Sequence, residues 1–422
     1  MEAVIRNGAA PIAPDYPPRP WIEVWLFAQV FYAVMGAVLG VGVDRLGAFL
    51  MLLLAAVCFA RAGTYWTTIV RTAVLPLACG ASFALIQVFV YGESFKDTEA
   101  VKAFIIWMVQ IFVVHYLTMS RGFLHRAAVG IFLIGLSTLP YLQTFHGDAS
   151  RTALDHAIAI SNPNDLGAWF GFCAIYFLIL GLETRRHWLR AVSWTSAAGC
   201  LLVVGLTGSR GPLFAMACSL AVAYRRVLKR GFFPFIALIV AAWVAYTSGM
   251  FERSTELYEQ RAFLETGRFL VWPLALGRFI ASPFIGVGLK NIATYIPSIQ
   301  TSVTPHNGVL LLALSSGVLP LGFFLAYWVQ LFRNVVQPAP QVVEDTPFLA
   351  SLVLYSFLIM LNLNEAYKEP WMVVVFAGVG RGIQFKVLAA EAAERMRRLK
   401  RAAELRARAP IPVAVNRRPS LR

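Results

Sequence analysis

Three side chains stand out by type and setting. They are Arg210 in Gly208-Ser209-Arg210-Gly211, Arg268 in Thr266-Gly267-Arg268-Phe269-Leu270-Val271-Trp272, and His306 in Pro305-His306-Asn307-Gly308. Each lies at the edge of an apolar run, where a polar side chain is costly to place. A guanidinium is a rigid fork that matches phosphate oxygens. The glycines beside Arg210 leave room for close approach of a backbone or a phosphate. A histidine at a helix N-terminus is disfavoured in its protonated form, so a neutral His306 could accept a proton from a sugar hydroxyl.

Each residue also has a plainer explanation. Arg210 reads equally as an arginine snorkelling at a helix end. Arg268 opens a short helix whose face Phe269, Trp272, Leu276 and Phe279 suits the membrane surface, with the arginine solvated. His306 reads equally as an interfacial cap on a long helix. Further candidates for substrate contact are Arg278, Lys290, Asn307, Trp272 and Asn164, with Asp165 beside the last. Capping of a helix accounts for Asn164 and Asp165 as well. Glu252, Glu256 and Glu265 are rival bases. No paired acidic motif points to a metal, and no Walker loop is present, so neither metal nor cofactor is expected. The substrate should therefore arrive activated, and a diphosphate leaving group held by two arginines meets that need.

The elements that must position these residues are membrane helices. The chain is 58% hydrophobic and only 14% charged, against about 25% charged in soluble domains, with a mean hydropathy of +0.65. Twelve apolar runs have the length to cross hydrocarbon: 21–43, 46–62, 72–92, 103–120, 127–144, 165–182, 191–207, 211–227, 231–250, 307–332, 347–363 and 371–388. The expected fold is all-α and polytopic, with one large periplasmic loop, 251–306, containing short helices. Smaller outer loops run over 145–164 and 364–370. Residues 1–20, with five prolines, read as a disordered cytoplasmic lead and not a signal peptide. Residues 21–388 form the transmembrane domain, and 389–422 form a basic cytoplasmic tail.

Most of the 37 lysines and arginines fall on one side of this arrangement. The positive-inside rule then puts both termini in the cytoplasm. From Leu388 to Arg408, an apolar stripe through Met396 and Leu399 runs between Arg395, Arg397, Arg398, Lys400 and Arg401. That stripe suits an anionic inner leaflet. A nucleic-acid partner is not expected, since the basic residues sit where membrane topology puts them and no aromatic interleaving accompanies them. The five cysteines lie in apolar runs without metal-ligand spacing and read as buried thiols. A transporter of lipid-linked sugars predicts charges along the middle of several spans and an internal repeat. Here the charges gather at span ends and no repeat is evident.

At three places the chain resembles the O-antigen ligase and polymerase superfamily, polytopic glycosyltransferases of the bacterial envelope. Thr207-Gly208-Ser209-Arg210-Gly211 is similar to its span-end arginine motif. Gly267 to Trp272, with Pro283-Phe284-Ile285-Gly286-Val287-Gly288, is similar to its loop arginine, tryptophan and Gly-x-Gly turn. His306-Asn307 followed by Gly317 is similar to its histidine motif, with Pro320 departing from the ligase pattern. The resemblance implies an inverting, metal-independent enzyme of the inner membrane. Arg210 and Arg268 would bind the diphosphate of an undecaprenyl-linked glycan, and His306 would activate the acceptor hydroxyl. A polymerase acts on a second lipid-linked unit, making O-antigen or exopolysaccharide. A ligase acts on lipid A–core. Pro320 tilts the reading towards the polymerase. Glycosylation of protein and a flippase or transporter of the same lipid-linked sugars are the alternatives. Expected partners are donor, acceptor, the anionic leaflet, a flippase and a chain-length regulator.

Overall fold

A computed structural model describes residues 19–36, 43–63, 66–93, 109–118, 122–145, 151–154, 162–227, 268–296, 301–336 and 346–361, with isolated positions elsewhere. The expected ninth span, the twelfth apart from Val375 and Gly380, the acids Glu252, Glu256 and Glu265, and the segments 1–18 and 364–370 lie outside the described residues. The protein is mostly helical. Helices α1 (Pro20–Met35), α2 (Val43–Ala62), α3 (Trp66–Leu85), α4 (Phe123–Thr138), α5 (Pro163–Glu183), α6 (His187–Thr207) and α7 (Arg210–Val227) precede the site region. Helices α8 (Arg268–Ala281), α9 (Gly308–Ser316), α10 (Val318–Val336) and α11 (Thr346–Met360) follow. Among the described residues, five helical segments are long and apolar enough to cross a membrane: Trp66–Val90, Phe123–Tyr141, Pro163–Glu183, His187–Thr207 and Val318–Val336. The chain is thus a polytopic integral membrane protein.

Helix α5 is the central element. In its most apolar stretch 83% of the residues are buried, against 28% for α6 beside it. Its neighbours are α4, α6, α7 and α11. Small residues make the contacts close. Gly135 lies against the Trp169 ring, whose indole N–H donates to the Ile131 carbonyl at 3.3 Å. A Cβ on Gly171 would fall on the Tyr355 hydroxyl, which donates to the Ala168 carbonyl at 2.8 Å. A buried hydroxyl that finds a backbone partner of this kind fixes the register of two helices.

Helix α3 does not stop at Leu85 but runs on through a π turn, Ile86–Val90, closed by the Tyr91 N–H on the Ile86 carbonyl at 3.3 Å. The wider turn changes the direction of Gln87 and Tyr91, and π turns of this kind concentrate at functional sites. Helix α10 lies along α3, with the end of α3 beside the start of α10.

Two expectations need correction. The run 307–332 is not one helix. It is broken at Gly317, whose φ of 78° is open to glycine and strained for other residues. The Val318 N–H turns away to the Pro283 carbonyl at 2.7 Å. Secondly, the run 127–144 begins earlier, at Phe123, and its α-helix ends at Thr138. Pro140 follows in a 3-10 turn, Leu139–Tyr141, because proline cannot donate to a continuing helix. The fold is all-α in class, and two short hairpins lie among its helices. Strand β1 (Leu142–Phe145) pairs antiparallel with β2 (Arg151–Leu154), and β3 (Thr294–Ile296) pairs antiparallel with β4 (Thr301–Val303).

Candidate functional site

The expected site residues fall into two groups, each held by its own contacts. The first is built at the start of α5 and the turn between α6 and α7. Asn162 caps α5, its side chain accepting the Asn164 N–H at 2.8 Å. The cap is therefore Asn162, not Asn164 or Asp165, because only a residue just outside the helix can reach back to the free N–H groups of the first turn. Asn164 is left to accept the Ser209 hydroxyl at 2.7 Å. Arg210 follows Ser209 directly, as the exposed first residue of α7. The turn that presents it is made by Gly208, at φ 59°. Gly167 lets α5 approach this turn closely: a Cβ there would meet the Thr207 hydroxyl at 2.8 Å and Pro212 at 3.4 Å. Arg210 is thus presented by a turn pinned to α5 on both sides of Ser209.

The second group is built on α8 and the approach to α9. Arg268 is the first residue of α8, and Trp272 lies one turn later. The Trp272 indole N–H donates to the Pro305 carbonyl at 2.7 Å. That bond ties the arginine helix to the residue before His306. His306 is half-buried with φ 45°, and it is the one non-glycine residue with positive φ among those described. Such an outlier persists only where the surroundings hold it in place, and these positions cluster at functional sites. Here both neighbours are fixed. Pro305 is buried and accepts the indole bond. Asn307 is buried and caps α9, accepting the N–H groups of Val309 and Leu310 at 3.0 and 3.1 Å. The imidazole therefore sits one residue before a helix cap. It does not start a long helix, because Asn307 takes the cap position and α9 is only nine residues long.

The rest of the loop holds this pair in place. Val271 and Ala275 of α8 are buried against Leu314 of α9, with Phe279, Val287 and Val303 around them. The turn after α8 interlocks with the break before α10. The Val287 N–H donates to the Leu314 carbonyl at 2.6 Å. A Cβ on Gly286 would fall on that same carbonyl, and one on Gly317 would fall on the Phe284 carbonyl. Two backbones touch here without intervening side chains, which explains the Gly-x-Gly turn.

Several expected ligands have structural partners. The Arg278 guanidinium donates to the carbonyls of Ala293 at 2.7 Å and Asn291 at 2.6 Å, and to the Thr294 hydroxyl at 3.2 Å. It thereby fastens α8 to β3. Lys290 pairs with the buried Glu93 carboxylate at 3.0 Å. The Asn307 side-chain oxygen is occupied by capping. The face of α8 expected at the membrane surface is only partly exposed. Leu276 is exposed, with Ile280 beside it, whereas Trp272 and Phe279 are docked on the protein.

Gln87 and Tyr91 were not among the expected residues. Gln87 is fully buried on the π turn. Its amide N–H donates to the Ser315 carbonyl at 2.7 Å, and its oxygen accepts the Leu289 N–H at 3.1 Å. The Tyr91 hydroxyl lies 2.8 Å from the Gly286 carbonyl, to which it donates. A lone amide in an apolar run was the signal for Gln87, since such a group must find partners inside the protein. Among the described residues no cluster of histidine, cysteine or carboxylate side chains has the arrangement of a metal site.

These features define a polytopic helical membrane protein with an arginine- and histidine-bearing loop seated on its bundle. The family described as O-antigen ligase matches residues 195–325, which puts this part of the chain in the O-antigen ligase and polymerase superfamily. The matched segment contains Arg210, Arg268 and His306. Glycan transfer of the ligase or polymerase type is the activity the family implies. No curated protein matches the chain.

Proposed function

We propose that this protein transfers a glycan from undecaprenyl diphosphate to an acceptor sugar at the periplasmic face of the inner membrane. The observation that carries the reading is the family match over the segment holding Arg210, Arg268 and His306. The Trp272–Pro305 bond adds support, because it couples the arginine helix to the histidine turn.

In this reading the two groups of residues converge on one donor. Arg210 and Arg268 hold the diphosphate and stabilise the charge that develops as it leaves. His306 takes the proton of the acceptor hydroxyl. The hydroxyl oxygen bonds to the anomeric carbon from the face opposite the diphosphate, and the bond from that carbon to the diphosphate oxygen breaks. The configuration inverts, and undecaprenyl diphosphate leaves with the electron pair. Donor activation drives the step without a metal. Arg278 and Lys290 serve the scaffold, given their partners, while Asn164 positions Arg210 through Ser209. The chain crosses the membrane twelve times with both termini in the cytoplasm. The basic tail, with Met396 and Leu399 exposed between arginines, lies on the anionic inner leaflet.

Pro320 favours a polymerase over a ligase, since it departs from the ligase pattern. It lies in the first turn of α10, where proline is tolerated. The test is glycan analysis in a deletion strain complemented with wild type, Arg268→Ala or His306→Ala, each checked for membrane level. For a polymerase, the variants accumulate single lipid-linked repeats, or lipid A–core with one repeat. For a ligase, they accumulate long polymer on undecaprenyl with bare lipid A–core. Normal glycan in both variants defeats the proposed site.

A further inference from the structure

We infer that the turn after α8 is a membrane anchor, inserted into the leaflet on its side, which sets the height of the Arg268–His306 region above the hydrocarbon. This rests on the chain's being a membrane protein and is independent of the transfer chemistry.

Three backbones meet at this turn. The Tyr91 hydroxyl, at the end of the α3 segment, donates to the carbonyls of Gly286 at 2.8 Å and Ile285 at 3.1 Å. The Val318 N–H, at the start of α10, donates to the Pro283 carbonyl at 2.7 Å. The Gly286 N–H closes the turn on the Ser282 carbonyl at 2.9 Å. Both Trp66–Val90 and Val318–Val336 are long and apolar enough to cross the membrane. The end of one and the start of the other mark a single boundary of the hydrocarbon, and the turn is bonded to both.

The side chains the turn presents are large and apolar. Phe284 is 76% exposed and Ile280 65% exposed. Ile285, and Val318 and Leu319 of the adjoining helix start, are exposed as well. Phe89, near the end of α3, is also exposed, as membrane-crossing helices are on their lipid side. An exposed apolar patch of this kind marks an interaction surface, and this one adjoins the exposed apolar surfaces of two helices long and apolar enough to cross the membrane. The opposite side of α8 is satisfied, with Val271 and Ala275 fully buried. The helix is therefore two-faced, one side on α9 and the other free, as in helices that lie at a membrane surface. In this placement the polar edge of the region, where Arg278 holds β3, lies towards water. The occupant is the acyl region of the surrounding leaflet.

The test uses the full chain in lipid nanodiscs without donor. An environment-sensitive fluorophore is placed at Phe284→Cys, at Ile280→Cys, and at Tyr295→Cys, an exposed position of strand β3. Wild type gives the labelling background, its cysteines being buried or half-buried. The expected result is that labels at 284 and 280 are blue-shifted, quenched by lipid nitroxides and shielded from aqueous iodide, while the label at 295 is quenched by iodide. The inference is overturned if labels at 284 and 280 respond to iodide as 295 does. It is also overturned if their shielding appears only on adding undecaprenyl phosphate, which would make the patch a site for the donor's chain. Shielding that depends on protein density would make it a contact between copies and overturn the inference likewise.

Discussion

Trp272 and Pro305 are joined by a 2.7 Å hydrogen bond from the indole N–H to the proline carbonyl, across a separation of 33 residues. One end of the bond lies a turn after Arg268 and the other lies next to His306. The bond therefore bears on the relative placement of the two residues proposed as phosphate ligand and base. Its loss should alter rate more than abundance.

Trp272→Phe keeps an aromatic ring and removes the donor. It leaves a buried carbonyl unpaired, at about 1–3 kcal/mol. That cost falls on folding; transfer should fall on the order of tenfold because Arg268 and His306 are no longer held in register, with a smaller loss of membrane level. Trp272→Ala, which also loses the ring, should fall further. The measurement is conversion of lipid-linked repeats in isolated membranes. Full activity in Trp272→Phe would remove the bond from the site.

Gln87 makes the second long-range link. Its side chain holds the Ser315 carbonyl of α9 and the Leu289 N–H of the loop. Gln87→Leu would suit the apolar helix but orphan both groups, at about 1–3 kcal/mol each. The expected outcome is a lower melting temperature in detergent and faster protease cleavage between 283 and 305. Gln87→Glu should behave similarly, since a carboxylate accepts from Leu289 but cannot donate to Ser315. Unchanged melting in both would show that the contacts carry no net stability.

The sequence revealed the polar residues at span ends because their cost in hydrocarbon makes them visible. Arg210, Arg268 and His306 belong to this class, and the family match covers all three. Gln87 was equally polar but was hidden inside an apolar run, where its partners 202 and 228 residues away could not be seen. The break at Gly317 was hidden for a related reason. Hydropathy continues across it unchanged, and the Pro283 carbonyl that takes the Val318 N–H is remote in sequence. Arg278 and Lys290 show the converse limit. Sequence displays a charge but not its partner, and both have partners within the scaffold.

The glycines divide into two kinds, and alanine should separate them. At Gly286 and Gly317 both φ and space forbid a Cβ, because each position lies against another segment's carbonyl. Gly286→Ala and Gly317→Ala should each lower the amount of folded protein in membranes and lower the melting temperature. At Gly199 in α6 and Gly322 in α10, a Cβ would have nothing within 4 Å of it. There alanine is expected to be neutral or to stabilise by about 0.5–1 kcal/mol. Thermal melts of the four variants check this, and equal effects in both pairs would defeat the interlock described for the turn.

The last prediction concerns Arg210. Its turn is fixed by the Ser209 hydroxyl on Asn164, at 2.7 Å, and by the close approach of Gly167 to Thr207. If Arg210 acts through its fork on a diphosphate, then Arg210→Lys should lose most activity although the charge is kept, because an ammonium cannot reproduce the two parallel bonds. Ser209→Ala should act more weakly, on the order of a threefold to tenfold loss, corresponding to a single net hydrogen bond of about 1 kcal/mol. Asn164→Ala removes the acceptor of the same bond, so the double variant with Ser209→Ala should be no worse than the worse single one. Gly167→Ala should press on Thr207 and cost about 1–3 kcal/mol of stability. Transfer rates normalised to membrane level separate these outcomes. If Arg210→Lys keeps wild-type activity, Arg210 is a charge at a helix end and not a diphosphate ligand.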